Sequence, residues 1–372
     1  MNGHTASVVV AVLFDITWRS AAIMGAALVL ERMHRGTFPA RRRDVWSAAF
    51  ASTLVMIGVS VAIGVRRLTS GEPVYSRIAS VAPDVHIAIP ARATSAAGWQ
   101  IALIGLAAGG VAVALTRAIV GRWRARTVVR RSAVTADLAL QDTVNELAAD
   151  VGLRRVPALL QSSCVSSAAV FRYWRPVIIV SPSAAHWSEE RRQQVLAHEL
   201  AHITAHDMLF AKVADVVRAL VWWNPAVLFA ERRLSAFQEF ACDARVIARG
   251  APRASYAETL LDLASHRHED SSPASTVPEL GATRAPLAAR VEALLRPADD
   301  QHERSTWWTR PAALVAMTVI GLLPLRPAAM HASKGHVVYR RQAGDTSSAP
   351  PFVKLTRDAS GRLVMTIVNS SA

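Results

Sequence analysis

The sequence is poor in cysteine, in lysine and in charge of either sign. Only two cysteines occur, Cys164 and Cys242, and neither sits in a CxxC pair. No disulfide framework is implied, and in a reducing compartment both are free thiols. Charged residues make up 19% of the 372 residues, below the rough quarter usual for soluble domains. Hydrophobic residues reach 52% and mean hydropathy is +0.24. This balance indicates a membrane protein with one soluble domain of ordinary size. No internal repeat is present. The net charge of +14 is almost all arginine. A nucleic-acid binder can carry such a charge, but here the arginines cluster beside apolar stretches, as topology signals do. No DNA-binding helix pattern accompanies them, so no direct nucleic-acid partner is expected.

Four apolar segments approach the length of about 20 residues that a span needs. They lie at about 7–30, 45–65, 99–120 and 307–325. The first contains Asp15 and Arg19, one helical turn apart and placed to neutralise each other. It lacks the basic start and the cleavage site of a signal peptide. The last is the shortest and contains Pro311 and Pro324. The basic stretches "ERMHRGTFPARRRD" and "RAIVGRWRARTVVRR" belong in the cytoplasm by the positive-inside rule. Residues 1–121 then form three transmembrane helices and their loops, with the N-terminus outside. Residues 122–306 form a cytoplasmic domain. Residues 307–325 return the chain outward, and 326–372 form a short extracytoplasmic tail. In that tail, alternating segments flank "DASG" and predict a β-hairpin.

Within 122–306 the pattern is mixed α+β. "TADLALQDTVNELAADVGL" has helical spacing, and "VPALLQSS" and "RPVIIVSP" read as strands. Ser188 caps a helix whose first turn carries Glu189 and Glu190. A second helix runs from Asp207 towards Trp223. A third starts at Asn224-Pro225, a cap residue followed by proline at the first helical position, and stops at Gly250. Residues 266–285 read as a loop, with no role assigned to His266 or His268.

The first of these three helices carries "VLAHELAHITAHD". In HExxH, residues four apart share one helix face, so His198 and His202 can reach one metal ion. Glu199 lies beside them without being a ligand. It can take a proton from the attacking water and pass it to the leaving amine, while zinc polarises the scissile carbonyl. In a chain with 12 histidines, chance yields on the order of 0.01 such matches. His206, a further turn on, lies roughly 12 Å from His198 along a continuing helix and is too far to share the ion. Glu239 in "FQEFACDA" is a candidate third ligand, with Asp243 one turn on and able to hold a ligand histidine. A solvated acidic pair is the competing reading, and spacing leaves both open.

"AHELAHITAHD", "WWNPAVLFAERRL" and "QEFACDARV", in that order, resemble the BlaR/MecR-type integral membrane zinc peptidases, which are gluzincins. The resemblance covers about residues 7–325. It implies one Zn²⁺ per chain held by His198, His202 and Glu239, with Glu199 as catalytic acid/base. It assigns Asp243 and Asp207 to support of the site, and Cys242 reads as a packed small residue. In looser matches, Arg290 is either a site-orienting or oxyanion-stabilising group or a structural ion pair. Tyr256 is either an oxyanion donor or a core residue. "SSCVSSAAV" before "RPVIIV" is either the edge strand on which substrate lies or an ordinary buried strand. The implied fold is α-helical spans plus a mixed α+β gluzincin domain. The implied location is the bacterial inner membrane, and the implied substrate is a cytoplasmic protein, with a transcriptional repressor or the chain itself as candidates. Well-known members carry a penicillin-binding sensor after the fourth span. The stretch after Leu325 has no SxxK and is much too short for that fold, so the reading is of a chain without it. The bilayer is the other partner, and homodimer formation is left open. The alternative function is a non-proteolytic membrane sensor or scaffold that retains the zinc domain.

Overall fold

In the computed structural model, three long helices open the chain: α1 (Gly3–Met33), α2 (Pro39–Ser70) and α3 (Gly98–Arg131). The structure describes residues 3–34, 38–70, 98–134, 137–269, 286–296, 317–318, 352–357 and 363–368. All three helices are long and apolar enough to cross a membrane. Arg19 donates to Asp15 at 2.6 Å across one turn of α1, and Ser60 of α2 donates to the other Asp15 oxygen at 2.8 Å. The charge pair inside the apolar stretch is thus satisfied locally, as its spacing predicts. Gly64 allows α1 and α2 to approach, since a Cβ there would meet Val12 Cγ2 at 2.7 Å. Where α1 ends, buried Glu31 accepts from Trp46 at 2.8 Å and from Arg42 at 3.1 Å. Arg233, from much later in the chain, donates to both of its oxygens.

The next part is mixed α and β. It runs β1 (Ala133–Val134), α4 (Leu138–Asp150), β2 (Ala158–Gln161), β3 (Ala168–Phe171) and β4 (Val177–Val180). The sheet order is β1-β2-β4-β3. β2 and β4 are parallel, and β1 and β3 are antiparallel to their neighbours. β4, "VIIV", is buried along its whole length, as a continuous apolar run in a covered central strand should be. The helices α5 (Glu189–Ala205), α6 (Asp207–Leu220), α7 (Pro225–Ala248), α8 (Arg253–Glu269) and α9 (Leu287–Leu295) follow. Leu196 and Leu200 of α5 pack with Leu140 and Val144 of α4 and Ile178 and Val180 of β4. β3, an edge strand, lies alongside α5. α8 continues to Glu269, past the loop start expected at residue 266. The rest of that expected loop, residues 270–285, lies outside the described residues.

One hydrophobic cluster joins Ile23 and Ala27 of α1, Trp46 and Phe50 of α2, Val217 of α6 and Leu234 and Phe237 of α7. The α6–α7 turn carries "WWNP" and explains the junction. Trp222 Nε1 donates to Ala107 O of α3 at 3.4 Å. A Cβ on Gly110 would fall 2.0 Å from the same indole, so only glycine leaves room for it. Trp223 Nε1 donates to Thr17 Oγ1 at 2.9 Å. Asn224 does two jobs. Its Oδ1 accepts from Ala226 N–H and caps α7, while its Nδ2 donates to Thr17 O and Ser20 Oγ of α1. Asn224→Ala is expected to lower stability by about 2–3 kcal/mol, about 1 for the cap and the rest for two buried hydrogen bonds. Thermal unfolding of the full chain in detergent measures it, and an unchanged midpoint contradicts the clamp.

Of the fourth apolar segment only Met317 and Thr318 are described. Met317 is buried in the same cluster, and Thr318 donates to Ser52 Oγ of α2 at 3.1 Å. In the tail, β5 (Phe352–Arg357) pairs antiparallel with β6 (Leu363–Val368) over six residues each.

Candidate metal centre

α5 begins where Ser188 Oγ accepts from Arg191 N–H, with Glu189 and Glu190 in the first turn. Gln194 ties this helix to α8, donating to Ser255 Oγ at 3.0 Å and accepting from Thr259 Oγ1 at 2.6 Å. One turn on, His198 and His202 project side by side with ring centroids 4.9 Å apart. α7 faces them. His198 Nε2 lies 3.5 Å from Glu239 Oε2, and His202 Nε2 lies 3.7 Å from Glu239 Oε1. Ligand atoms about 2.0–2.2 Å from one tetrahedral ion sit about 3.3–3.6 Å apart, so these separations fit a zinc ion with little adjustment. Glu199 is 6% exposed, against 8% for His198 and 4% for Glu239. Glu239 is therefore no solvated acid on an open helix face.

Each histidine is held from behind by a carboxylate, the arrangement that fixes tautomer and ring orientation at zinc sites. His198 Nδ1 is 3.1 Å from Asp243 Oδ1. Tyr256 Oη lies 3.0 Å from the same nitrogen and donates to Asp243 Oδ1 at 2.8 Å. Arg290 of α9 clamps Asp243 through Nε at 2.7 Å and Nη2 at 2.5 Å. Its Nη1 is 3.0 Å from Glu239 Oε2. Tyr256 and Arg290 thus sit behind His198, on the Asp243 side. On the other histidine, His202 Nδ1 is 2.9 Å from Asp207 Oδ2, the first residue of α6. Gln238 of α7 donates to the Asp207 carbonyl at 3.2 Å.

The electrostatics follow from this layout. Burial pulls His198 towards neutrality, but hydrogen bonds to Asp243 and Glu239 outweigh it and raise its pKa to about 9. Burial acts upward on Asp243, yet the Arg290 guanidinium and the His198 contact hold the carboxyl below its ordinary value. Burial, with Asp207 beside it, pushes the Cys242 thiol well up. Cys242 Sγ sits 3.4 Å from His202 Nδ1 and 3.6 Å from Asp207 Oδ2. A second possible metal group, His202, Asp207 and Cys242, would need a thiolate, and this environment keeps a thiol. The set His198, His202 and Glu239, whose ligand atoms lie within 4.8 Å of one another, is the one whose chemistry fits zinc.

His206 is placed differently from the continuing helix assumed for it. The helix breaks there: His206 has φ 59° and ψ 28° and joins α5 to α6 in the left-handed region. The break does not bring its ring to the metal group. It is exposed and packs edge-on near Tyr173, with centroids 6.1 Å apart. Both residues line a cleft of about 450 Å³ beside His202, with Val170, Trp174, Ile203 and Met208. The cleft adjoins the end of β3. One residue of the centre is absent from any sequence motif. Arg43 of α2, 2% exposed, lies with its Nε 3.9 Å from Asp207 Oδ1. Its only local signal is membership of a basic stretch, which reads as a topology signal.

Among curated proteins, the chain is 23% identical over 165 residues to the regulatory protein BlaR1 of Bacillus licheniformis, covering 44% of this chain and 28% of that protein. It is 24% identical over 87 residues to the methicillin resistance mecR1 proteins of Staphylococcus aureus and Staphylococcus epidermidis, 23% of this chain and 15% of each. The chain therefore aligns with less than a third of the length of these relatives. The model of the BlaR1 peptidase M56 family matches residues 11–294, a stretch that takes in α2, the sheet and every side chain of the centre just described. With that match, and with the HExxH helix, the glutamate helix and the apolar helices in the order the motifs predict, the chain belongs to the BlaR1 peptidase M56 family.

Proposed function

We propose that this protein is a membrane-embedded zinc endopeptidase, facing the cytoplasm, that hydrolyses a peptide bond of a protein in a signalling pathway. The observation that carries the reading is the placement of His198 and His202 Nε2 at 3.5 and 3.7 Å from the two Glu239 oxygens, with Glu199 between the histidines on α5. Bound Zn²⁺ supplies Lewis acidity, lowering the pKa of water and polarising the scissile carbonyl. The chain's own residues do the rest. His198, His202 and Glu239 hold the ion. Asp243 and Asp207 accept hydrogen bonds from the Nδ1–H groups and leave Nε2 free on each ring. Glu199 takes a proton from water and carries it to the leaving amine. β3, at the sheet edge beside α5, offers its backbone to an extended substrate, and the cleft beside His202 accepts a side chain.

A signalling role is supported by family membership and by one relative being a regulatory protein. A transcriptional repressor as substrate, or self-cleavage between residues 266 and 285, rests on the family resemblance alone. Cells expressing wild-type protein are expected to contain protein neo-termini absent from cells expressing Glu199→Gln. N-terminal proteomics reads this directly. Identical cleavage profiles favour the sensor or scaffold reading instead.

A further inference from the structure

The two ligand histidines are backed by the same three-part pattern. Behind His198 stand Asp243 and then Arg290. Behind His202 stand Asp207 and then Arg43. The first chain is closed by hydrogen bonds of 2.5–2.7 Å between arginine and aspartate. The second is not: Arg43 Nε is 3.9 Å from Asp207 Oδ1. Asp207 is 3% exposed, and its Oδ1 makes no hydrogen bond among the described residues. Arg43 Nη1 is likewise buried without one, while Nε and Nη2 donate to Asp44 Oδ1 at 3.2 and 3.0 Å. The described ion pairs of Asp207 are those with His202 and Arg43.

From this geometry we infer that Arg43 is a positioning residue for the metal ligand His202, acting through Asp207. A buried carboxylate oxygen left without a hydrogen bond needs a nearby cation to offset its desolvation. Asp207 Oδ2 lies 2.9 Å from His202 Nδ1, where it fixes the ring and points Nε2 at the metal. Arg43 supplies that cation from the first turns of α2, the helix that continues into an apolar span. Arg290 supplies its counterpart from α9, within the peptidase part. The centre therefore has one support inside the peptidase and one on a membrane helix. The membrane-side support is the one left an ångström short of direct hydrogen bonding.

The inference rests on zinc binding at His198, His202 and Glu239. Its test uses the full chain in detergent, with Zn²⁺ affinity measured by chelator competition and ligand geometry by the visible spectrum of the Co²⁺-loaded protein. Arg43→Ala is expected to weaken Zn²⁺ binding about 10–100-fold, the usual effect of losing an outer support, and to shift the Co²⁺ bands. Arg43→Lys should recover part of the affinity. Arg42→Ala, which removes the neighbouring arginine that binds Glu31 instead, should leave affinity unchanged. A folded Arg43→Ala that binds Zn²⁺ like wild type overturns the inference. If Arg43→Ala does not fold, Arg43→Lys is compared in wild-type and Asp207→Asn backgrounds. A smaller loss in the second supports the relay, and equal losses overturn it. Absence of Zn²⁺ binding by the wild type instead defeats the metal reading itself.

Discussion

Glu199→Gln is expected to lower peptide-bond hydrolysis by roughly 10²–10⁴-fold, the contribution typical of a positioned acid/base, while one Zn²⁺ per chain stays bound. The two halves of this result belong together. Glu199 is the residue directly after His198, and the amide has the same shape as the acid. The proposed ligands are other side chains, two of them held by Asp243 and Asp207, so the variant leaves them unchanged. What changes is that the amide cannot accept a proton from water at neutral pH. Metal content by atomic emission and cleavage of a protein substrate by the purified full chain measure the two halves. Loss of zinc in this variant would show that Glu199 is holding the site together. Full activity would remove it from the reaction.

The second large effect belongs to Asp243. Its side chain is 4% exposed and is paired with Arg290, itself 11% exposed. Asp243→Ala leaves that guanidinium buried beside Glu239 with its clamp gone. Breaking a buried pair from one side costs about 3–5 kcal/mol, and loss of the histidine's partner weakens metal binding about 10–100-fold. Asp243→Asn keeps the shape and separates the two effects through pH. In the metal-free wild type, burial would lower the pKa of His198, but Asp243 and Glu239 raise it to about 9. The imidazole is then protonated at pH 7 and must lose its proton to bind metal. Apparent Zn²⁺ affinity should rise with pH, by up to about tenfold per unit for this one proton, and level off above about pH 9. With Asn at 243 the carboxylate that retains the proton is gone, burial prevails, and the rise should flatten at neutral pH. A chelator titration at several pH values reads the slope, and the same slope in both proteins contradicts this account of His198.

How much of this could be read from the chain depends on distance along it. His198, Glu199 and His202 share five residues of one helix, so the helical period places them. Glu239 and Asp243 have the same four-residue spacing on another helix. Spacing left them equal to a solvated acidic pair, and their burial opposite α5 decides it. Ser188 and Asn224 are legible as caps because capping is local chemistry. β1 is two residues long and carries no periodicity to detect. A helix start at Asp207 is legible in the sequence, but nothing marks His206 as the break between the two helices; it occupies the left-handed region without being glycine. Arg43 is the largest omission. Among arginines that all read as topology signals, no local pattern distinguishes the one that reaches Asp207. Only the packing of α2 against α6 and α7 brings it to Asp207.

The clamp formed by Trp222, Trp223 and Asn224 has a practical consequence for preparing the protein. Glu239 rides on a helix whose first residues are fastened to Thr17 and Ser20 of α1. A secreted or water-soluble catalytic fragment beginning after α3 would lose those fastenings and leave both tryptophans, with the apolar side of α6, facing water. Such exposed patches drive association. Shortening the protein at its N-terminal side therefore trades the membrane for aggregation. Peptidase preparations should start from the chain with all its apolar helices, in micelles or nanodiscs.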